Sequence, residues 1–185
     1  MANFDLAIGV VLKHEGGYVD DPNDAGGATN YGISLRWLKD VGDLDGDGFQ
    51  EGDFNCDGVV DVNDIKQMTL QNAIDLYKSQ WWDKYSYGNI PSQILATKIF
   101  DTSVNVGSRQ CHKFLQRALN AVNGNQNVTV DGMVGPQTMG AVVEANQVGV
   151  LSAFRSEQAG FYRLICQVRP ANKKFLKGWL RRAYA

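Results

Sequence analysis

Glu15 stands in the string His14-Glu15-Gly16-Gly17-Tyr18, and Asp20-Asp21-Pro22-Asn23-Asp24-Ala25-Gly26-Gly27-Ala28-Thr29-Asn30-Tyr31-Gly32-Ile33 follows it. One carboxylate at the end of an apolar-periodic run is therefore surrounded by glycines, further carboxylates, and hydroxyl and amide side chains. Glycoside hydrolysis needs that neighbourhood: an acid to protonate the leaving oxygen and polar groups to hold or activate water. Glu15 is the candidate acid.

A second group of residues has metal-ligand spacing. In Asp53-Phe54-Asn55-Cys56-Asp57-Gly58-Val59-Val60-Asp61-Val62-Asn63-Asp64, side-chain oxygens fall at positions 1, 3, 5, 9 and 12 of a twelve-residue EF-hand-type loop. Gly58 takes position 6 and Val59 offers its carbonyl at position 7. Asp64 stands where the standard loop has Glu, and the string through Ile65-Lys66 resembles the loop of dockerin modules, which also end in Asp. Upstream, Asp43, Asp45, Asp47, Gly48 and Glu51 give positions 1, 3, 5, 6 and 9 of a second loop. Its twelfth residue, Phe54, cannot ligate, so Asp53 would have to close a shortened loop. One structural calcium is expected in the downstream loop, with the upstream loop a candidate for a second. Carboxylates this dense repel one another, so ion binding becomes local folding energy.

The charge distribution separates that segment from the rest. No Lys or Arg lies between Lys39 and Lys66, where nine of the twenty acidic residues sit. The remaining eleven acids face eighteen Lys and Arg, a surplus that suits an anionic polymer such as cell wall, nucleic acid or an outer-membrane surface. Three cysteines without close spacing indicate neither a disulfide framework nor a zinc site; Cys111 and Cys166 read as small buried hydrophobes. No stretch approaches the ~20 apolar residues of a membrane span. The opening apolar run is short and contains Asp5, a poor secretory signal. The expectation is a product made in the cytoplasm that reaches the wall after holin-type release or another export route.

Helical spacing recurs along the chain. Residues 2–14 carry Phe4, Ala7, Ile8, Val11 and Leu12, and Gly16-Gly17 stops that helix. Residues 18–33 read as loop or a small hairpin, and Ser34 to Asp40 as a short helix with Trp37 and Leu38 inward. Thr69 caps a helix predicted to run to Trp82. Further helices are predicted over 91–106, 109–122, 150–168 and 175–183, the first of these apolar throughout and hence buried, and one more runs to about Ala145. Asp101, Ser103 and Asn105 on it suit polar lining of a cleft or core hydrogen bonds equally. Trp81 and Trp82 suit core or cleft wall, and Asp131 to Thr138 is a tight turn into a helix.

These motifs carry a resemblance. Glu-Gly-Gly-Tyr followed by Asp-Pro-x-Asp-x-Gly-Gly-x-Thr-x-Tyr-Gly-Ile resembles the signature of glycoside hydrolase family 108, lysozyme-like N-acetylmuramidases of phage endolysins and bacterial homologues. Residues 100–107 and 115–119, Asp131-Gly132-x-Val134-Gly135-Pro136-x-Thr138, and Lys177-Gly178-Trp179-Leu180-x-Arg182 resemble the predicted peptidoglycan-binding region that accompanies it. The resemblance implies a mainly α, lysozyme-like α+β fold: a helical bundle around a cleft, a small hairpin near residues 18–33, and the calcium loop as an insertion at 41–64. It implies a catalytic region over 1–92 and a helical wall-binding region over 93–185, packed as one compact unit. The implied reaction cleaves the β-1,4 bond between N-acetylmuramic acid and N-acetylglucosamine, with Glu15 as general acid.

Phage-type lysozymes add an Asp and a Thr that position water. Asp24 and Thr29 take those places here, one residue closer together than in the best-known phage lysozymes. Asp20 and Asp21 compete as the second carboxylate, and Asp24 also reads as an Asx-turn residue before Gly26-Gly27. Tyr18, Asn30, Tyr31 and Asn105 are the candidate substrate contacts, although Asn30 and Tyr31 have structural readings too. The partner is the peptidoglycan glycan strand, with no nucleic acid and no membrane insertion, engaged by a monomer. Two rival functions remain: a lytic transglycosylase in which Glu15 acts alone, and a calcium-dependent wall-binding protein without catalysis.

Overall fold

The computed structural model describes residues 1–14, 17–20, 27–44, 46–124 and 127–185. The described chain is mainly helical with one two-stranded sheet. Its elements are α1 (Phe4–His14), β1 (Thr29–Asn30), β2 (Ile33–Ser34), α2 (Leu35–Val41), α3 (Val62–Gln67), α4 (Leu70–Tyr77), α5 (Gln93–Val106), α6 (Ser108–Asn123), α7 (Pro136–Glu144), α8 (Gln147–Val168) and α9 (Leu176–Tyr184). Two compact units form, one from residues 8–80 and one from residues 1–7 with 81–185. Among the described residues, no helix is long and apolar enough to cross a membrane.

Local chemistry sets most helix starts. The Thr69 hydroxyl accepts the Asn72 amide at 3.1 Å while the Asn72 side chain accepts the Thr69 amide at 2.9 Å, a reciprocal cap on α4. Ser34, Ser92 and Asn146 cap α2, α5 and α8 in the simpler way. The helix predicted to run unbroken to Trp82 is α only as far as Tyr77; Lys78–Asp83 winds as a π turn. The wider turn changes the angular spacing between side chains, and Trp82 is buried while Trp81 stays half-exposed.

In the unit of residues 8–80, the hairpin β1–β2 turns through Tyr31 and Gly32, both at positive φ (48° and 79°). Two-residue hairpin loops favour that conformation because it matches the strand twist, but a bulky residue there is strained. The Tyr77 hydroxyl donates to the Tyr31 carbonyl at 2.9 Å and holds the turn from α4. Gly52 lies against α2: a Cβ at this position would come within 2.8 Å of the Leu38 side chain. Only glycine lets the acidic segment approach α2 so closely. Ile33, Leu38, Ile65, Ala73 and Tyr77 are buried in this unit.

In the other unit, α6 packs against α5 and α8, and α9 packs along α8. Edge-on ring contacts join Trp82 to Phe4 and Phe100, and Phe114 to Phe154 and Phe161. Two buried polar clusters fix the connections. The Arg182 guanidinium grips the Asp101 carboxylate through two N–H groups, at 2.8 and 3.2 Å, and the Lys98 ammonium donates to the Arg182 carbonyl, tying α9 to α5. Burial pushes the Lys98 amine down to about 8 against the favourable charge of Asp101.

The second cluster joins α6 to the turn before α7. His112 accepts the Tyr87 hydroxyl at Nε2 (2.7 Å) and meets the Gly132 carbonyl at Nδ1 (3.2 Å). A neutral ring with its proton on Nδ1 satisfies both contacts. Gln116 donates to the Asp131 carboxylate and accepts the Gly132 amide, both at 2.8 Å. The Asp131–Gly132 turn is thereby built into the fold.

Burial lowers the His112 imidazole to about 4 from 6.5. A lowered folded-state value means that the unfolded chain takes up the proton first. This stability is full above about pH 6.5 and is lost as pH falls towards 4, by roughly 3 kcal/mol at most. Urea unfolding at pH 7 and pH 4.5 should show that loss in the wild type and a clearly smaller one in His112→Gln.

Candidate functional site

The described part of the site motif is assembled on β1. Val19 and Thr29 exchange both backbone hydrogen bonds at 2.8 Å, so the segment around Tyr18 lies antiparallel along β1 as a third, one-bridge strand. Glu15, Asp21 and Asp24 lie outside the described residues, as does Asp45 of the upstream acidic loop.

Tyr18, Thr29, Asn30 and Tyr31 are brought together by this pairing. Tyr18 is two-fifths exposed and its hydroxyl donates to the Asp20 carboxylate at 3.1 Å. Local desolvation and that carboxylate raise the phenol above its ordinary value. The Lys66 ammonium sits 6.0 Å from the Tyr18 ring centroid, within cation–π range. Lys66 is a neighbour that sequence reasoning did not assign to the site, because its approach depends on α3 packing beside β1. The Thr29 hydroxyl is half-buried, with one long contact, 3.4 Å, to the Gly27 carbonyl.

Asn30 is buried, and its side-chain amide donates to the Ile65 carbonyl at 3.0 Å. That carbonyl belongs to the last turn of α3, where helix acceptors lack partners. Asn30 therefore joins the hairpin to the helix that follows the acidic loops. Asn105 belongs to the unit of residues 81–185, where its side-chain oxygen accepts the Tyr162 hydroxyl at 2.6 Å. On the same helix, Asp101 is occupied by Arg182, and the Ser103 hydroxyl donates to the Phe100 carbonyl at 2.8 Å.

The two acidic loops share one backbone plan. Positive φ falls at the fourth and sixth positions of both, at Gly46 and Gly48 and at Cys56 and Gly58. The first Asp of each accepts the amide of the sixth residue: Asp43 from Gly48 at 2.9 Å and Asp53 from Gly58 at 2.8 Å. The fifth residue folds onto the seventh in both, Asp47 onto Phe49 and Asp57 onto Val59. In the upstream loop, Glu51 accepts the Leu44 amide on both oxygens.

Asp64 closes the downstream loop. It is fully buried, with Oδ1 accepting the Phe54 and Asn55 amides and Oδ2 the Asp61 amide at 2.7 Å. Asp61 and Asp64 together cap α3. The donor set Asp53, Asn55, Asp57, the Val59 carbonyl, Asp61 and Asp64 consists of hard oxygens, the ligand type that suits calcium. Among the described residues, no three His, Cys, Asp or Glu side chains are gathered closely enough to hold a metal ion. Their carboxylates face backbone amides, so an ion would have to compete with those bonds.

Two family models and a solved structure match the chain. The family model described as glycosyl hydrolase 108 matches residues 8–107, and one described as predicted peptidoglycan domain matches residues 110–184. The solved structure of Brucella abortus SagA aligns with 98% of this chain and 89% of its own, at 25% identity and a TM-score of 0.72. No curated protein sequence matches.

Asn30→Ala should leave the Ile65 carbonyl without its partner. The expected loss is roughly 1–2 kcal/mol in urea unfolding.

Proposed function

Because the chain belongs to the glycosyl hydrolase 108 family, we propose that it cleaves the β-1,4 bond between N-acetylmuramic acid and N-acetylglucosamine in peptidoglycan. The observation that carries this reading is the family match over residues 8–107, a span that includes the whole Glu15 motif. Glu15 is the general acid, protonating the glycosidic oxygen as the bond breaks. Asp24 is the second carboxylate and, with the Thr29 hydroxyl, orients water. Tyr18, Asn30 and Tyr31 shape the sugar-facing edge of β1, with Asn30 acting through its hold on α3. The region 93–185 grips the wall, a role supported by the second family match at 110–184. Asn105 is its candidate sugar contact.

Calcium has a structural role in this proposal. Asp53, Asn55, Asp57, Val59, Asp61 and Asp64 would hold one ion, and Asp43, Asp45 and Asp47 would contribute to a second. The ion neutralises a segment with no basic residue between Lys39 and Lys66. It stiffens the start of α3, and through the Ile65 carbonyl the hairpin that carries Thr29 and Asn30.

Digestion of purified peptidoglycan followed by mass spectrometry tests the reaction. Wild type should release reducing muramic acid ends, whereas 1,6-anhydro ends would replace hydrolysis by transglycosylation. Glu15→Gln should lower turnover by at least a hundredfold while wall binding persists. If the wild type solubilises no wall in calcium, the protein is a wall binder instead. Asp20→Asn, Asp21→Asn and Asp24→Asn compared side by side identify the second carboxylate, with the largest loss expected at Asp24.

Two loop variants separate calcium from the fold. Asp57→Asn should remove most of the calcium-dependent rise in melting temperature and leave the chelated protein unchanged. Asp64→Ala should destabilise the protein even in chelator, by roughly 2–4 kcal/mol, because three half-buried amides lose their acceptor.

A further inference from the structure

The last 23 residues contain seven Lys and Arg and no Asp or Glu. Arg182 is turned inward onto Asp101, whereas Arg163, Arg169, Lys173, Lys174, Lys177 and Arg181 are exposed. Lys177 and Arg181, four residues apart, share one face of α9. Large apolar side chains lie exposed among these cations. Leu164 and Val168, also four apart on α8, are 55% and 71% exposed, and Phe175 is 48% exposed. Phe175 stacks on Trp179 with ring centroids 5.7 Å apart and an interplanar angle of 28°, and the Lys174 ammonium sits 4.8 Å from its centroid. Trp179 in turn packs on Tyr162 at 5.3 Å. The exposed ring is therefore held at the surface by an aromatic series that reaches the core.

We propose that this face, from Arg163 to Arg181, docks on an anionic phospholipid surface without crossing it. Six exposed cations suit any polyanion. A soluble polyanion, however, gives Leu164, Val168 and Phe175 nothing to bury against, whereas the boundary between headgroups and acyl chains accepts both classes of side chain. The apolar side of α9 is already committed to the protein: Ala183 is fully buried, and Leu176 and Leu180 pack against the α8 cluster. The docking face is therefore the outer one, with the helix lying along the surface. Basic side chains near an anionic leaflet add attraction that salt screens. The proposal does not depend on the muramidase reading, and vesicles free of peptidoglycan test it separately.

The full-length protein would be sedimented with vesicles of equimolar phosphatidylcholine and phosphatidylglycerol, and with vesicles of phosphatidylcholine alone. Binding to the mixed vesicles is expected at low ionic strength, weakening as salt rises. Lys173→Ser/Lys174→Ser/Lys177→Ser should lower partitioning on the order of a hundredfold. Phe175→Ser should lower it about tenfold, with unchanged circular dichroism because the side chain is exposed. Equal binding to both vesicle types would overturn the proposal, as would undiminished binding by the triple variant. Complete displacement by soluble polyphosphate together with an unaffected Phe175→Ser variant would assign the face to a soluble polyanion instead.

Discussion

A carboxylate with no exposure to solvent organises the unit that carries the site motif. Asp64 is sealed from water, and three backbone amides point at its carboxylate oxygens, supplying the partners that a buried polar group needs. Those amides come from the second, third and ninth positions of the downstream acidic loop, so one side chain ties the two ends of the loop together. The same carboxylate completes the cap of α3. From α3, the Ile65 carbonyl reaches Asn30, Asn30 belongs to the hairpin, and the hairpin aligns the Tyr18 segment through Val19 and Thr29. The links through Asp64 and Asn30 are hydrogen bonds between buried or half-buried groups, where a lost partner is not replaced freely by water. The order of the hairpin and of the Tyr18 segment thus traces back to the acidic segment, which lies further along the chain.

That dependence explains what the sequence made legible. Periodicity located α1, α5, α6, α8 and α9, because each has an apolar stripe and the first four also have a glycine, serine or asparagine at an end. It did not locate α3, since six residues are too few for a helical period. The cue was present in another form: Asp61 and Asp64 have the spacing of a reciprocal cap, but both had been assigned to the ion. The π turn after Tyr77 left no mark in the pattern, because neighbouring tryptophans read as helical in either register. Loop positions fared better. Glycines at the fourth and sixth positions anticipate left-handed backbone, and only Cys56 takes that conformation without being glycine.

The candidate site was legible as a set of residue types and much less as a set of roles. Asn30 is an amide in the motif read as a sugar contact, yet its side chain is spent on a helix end. Asp131 and Gly132 form part of a motif that resembles a wall-binding signature, and both are consumed by Gln116 and His112. The Asp131 carboxylate is held below its usual range by the Met133 amide and Gln116, as a structural acceptor would be. A short motif cannot distinguish a residue that meets the ligand from one that holds the turn, because both need a fixed side chain. Only the identity of the hydrogen-bond partner separates them, and that partner lies 15 to 35 residues away in sequence.

The uneven charge of the chain follows the same logic. The acidic loops keep their carboxylates close by directing them at amides, a solution that works on a backbone with enough positive-φ residues to turn its N–H groups inward. The C-terminal segment has no such backbone, so it separates its like charges by exposure and turns only Arg182 inward. Arg182 forms a group with Lys98 and Asp101 of α5 that fixes which face of α9 is left outward. A buried ion pair adds little net stability against a well-packed apolar alternative. What it supplies is register: sliding α9 by one residue would strand Asp101 without its guanidinium and turn the face shared by Lys177 and Arg181 away from its outward position. The inner ion pair and the outer basic row are therefore two consequences of a single placement of the last helix.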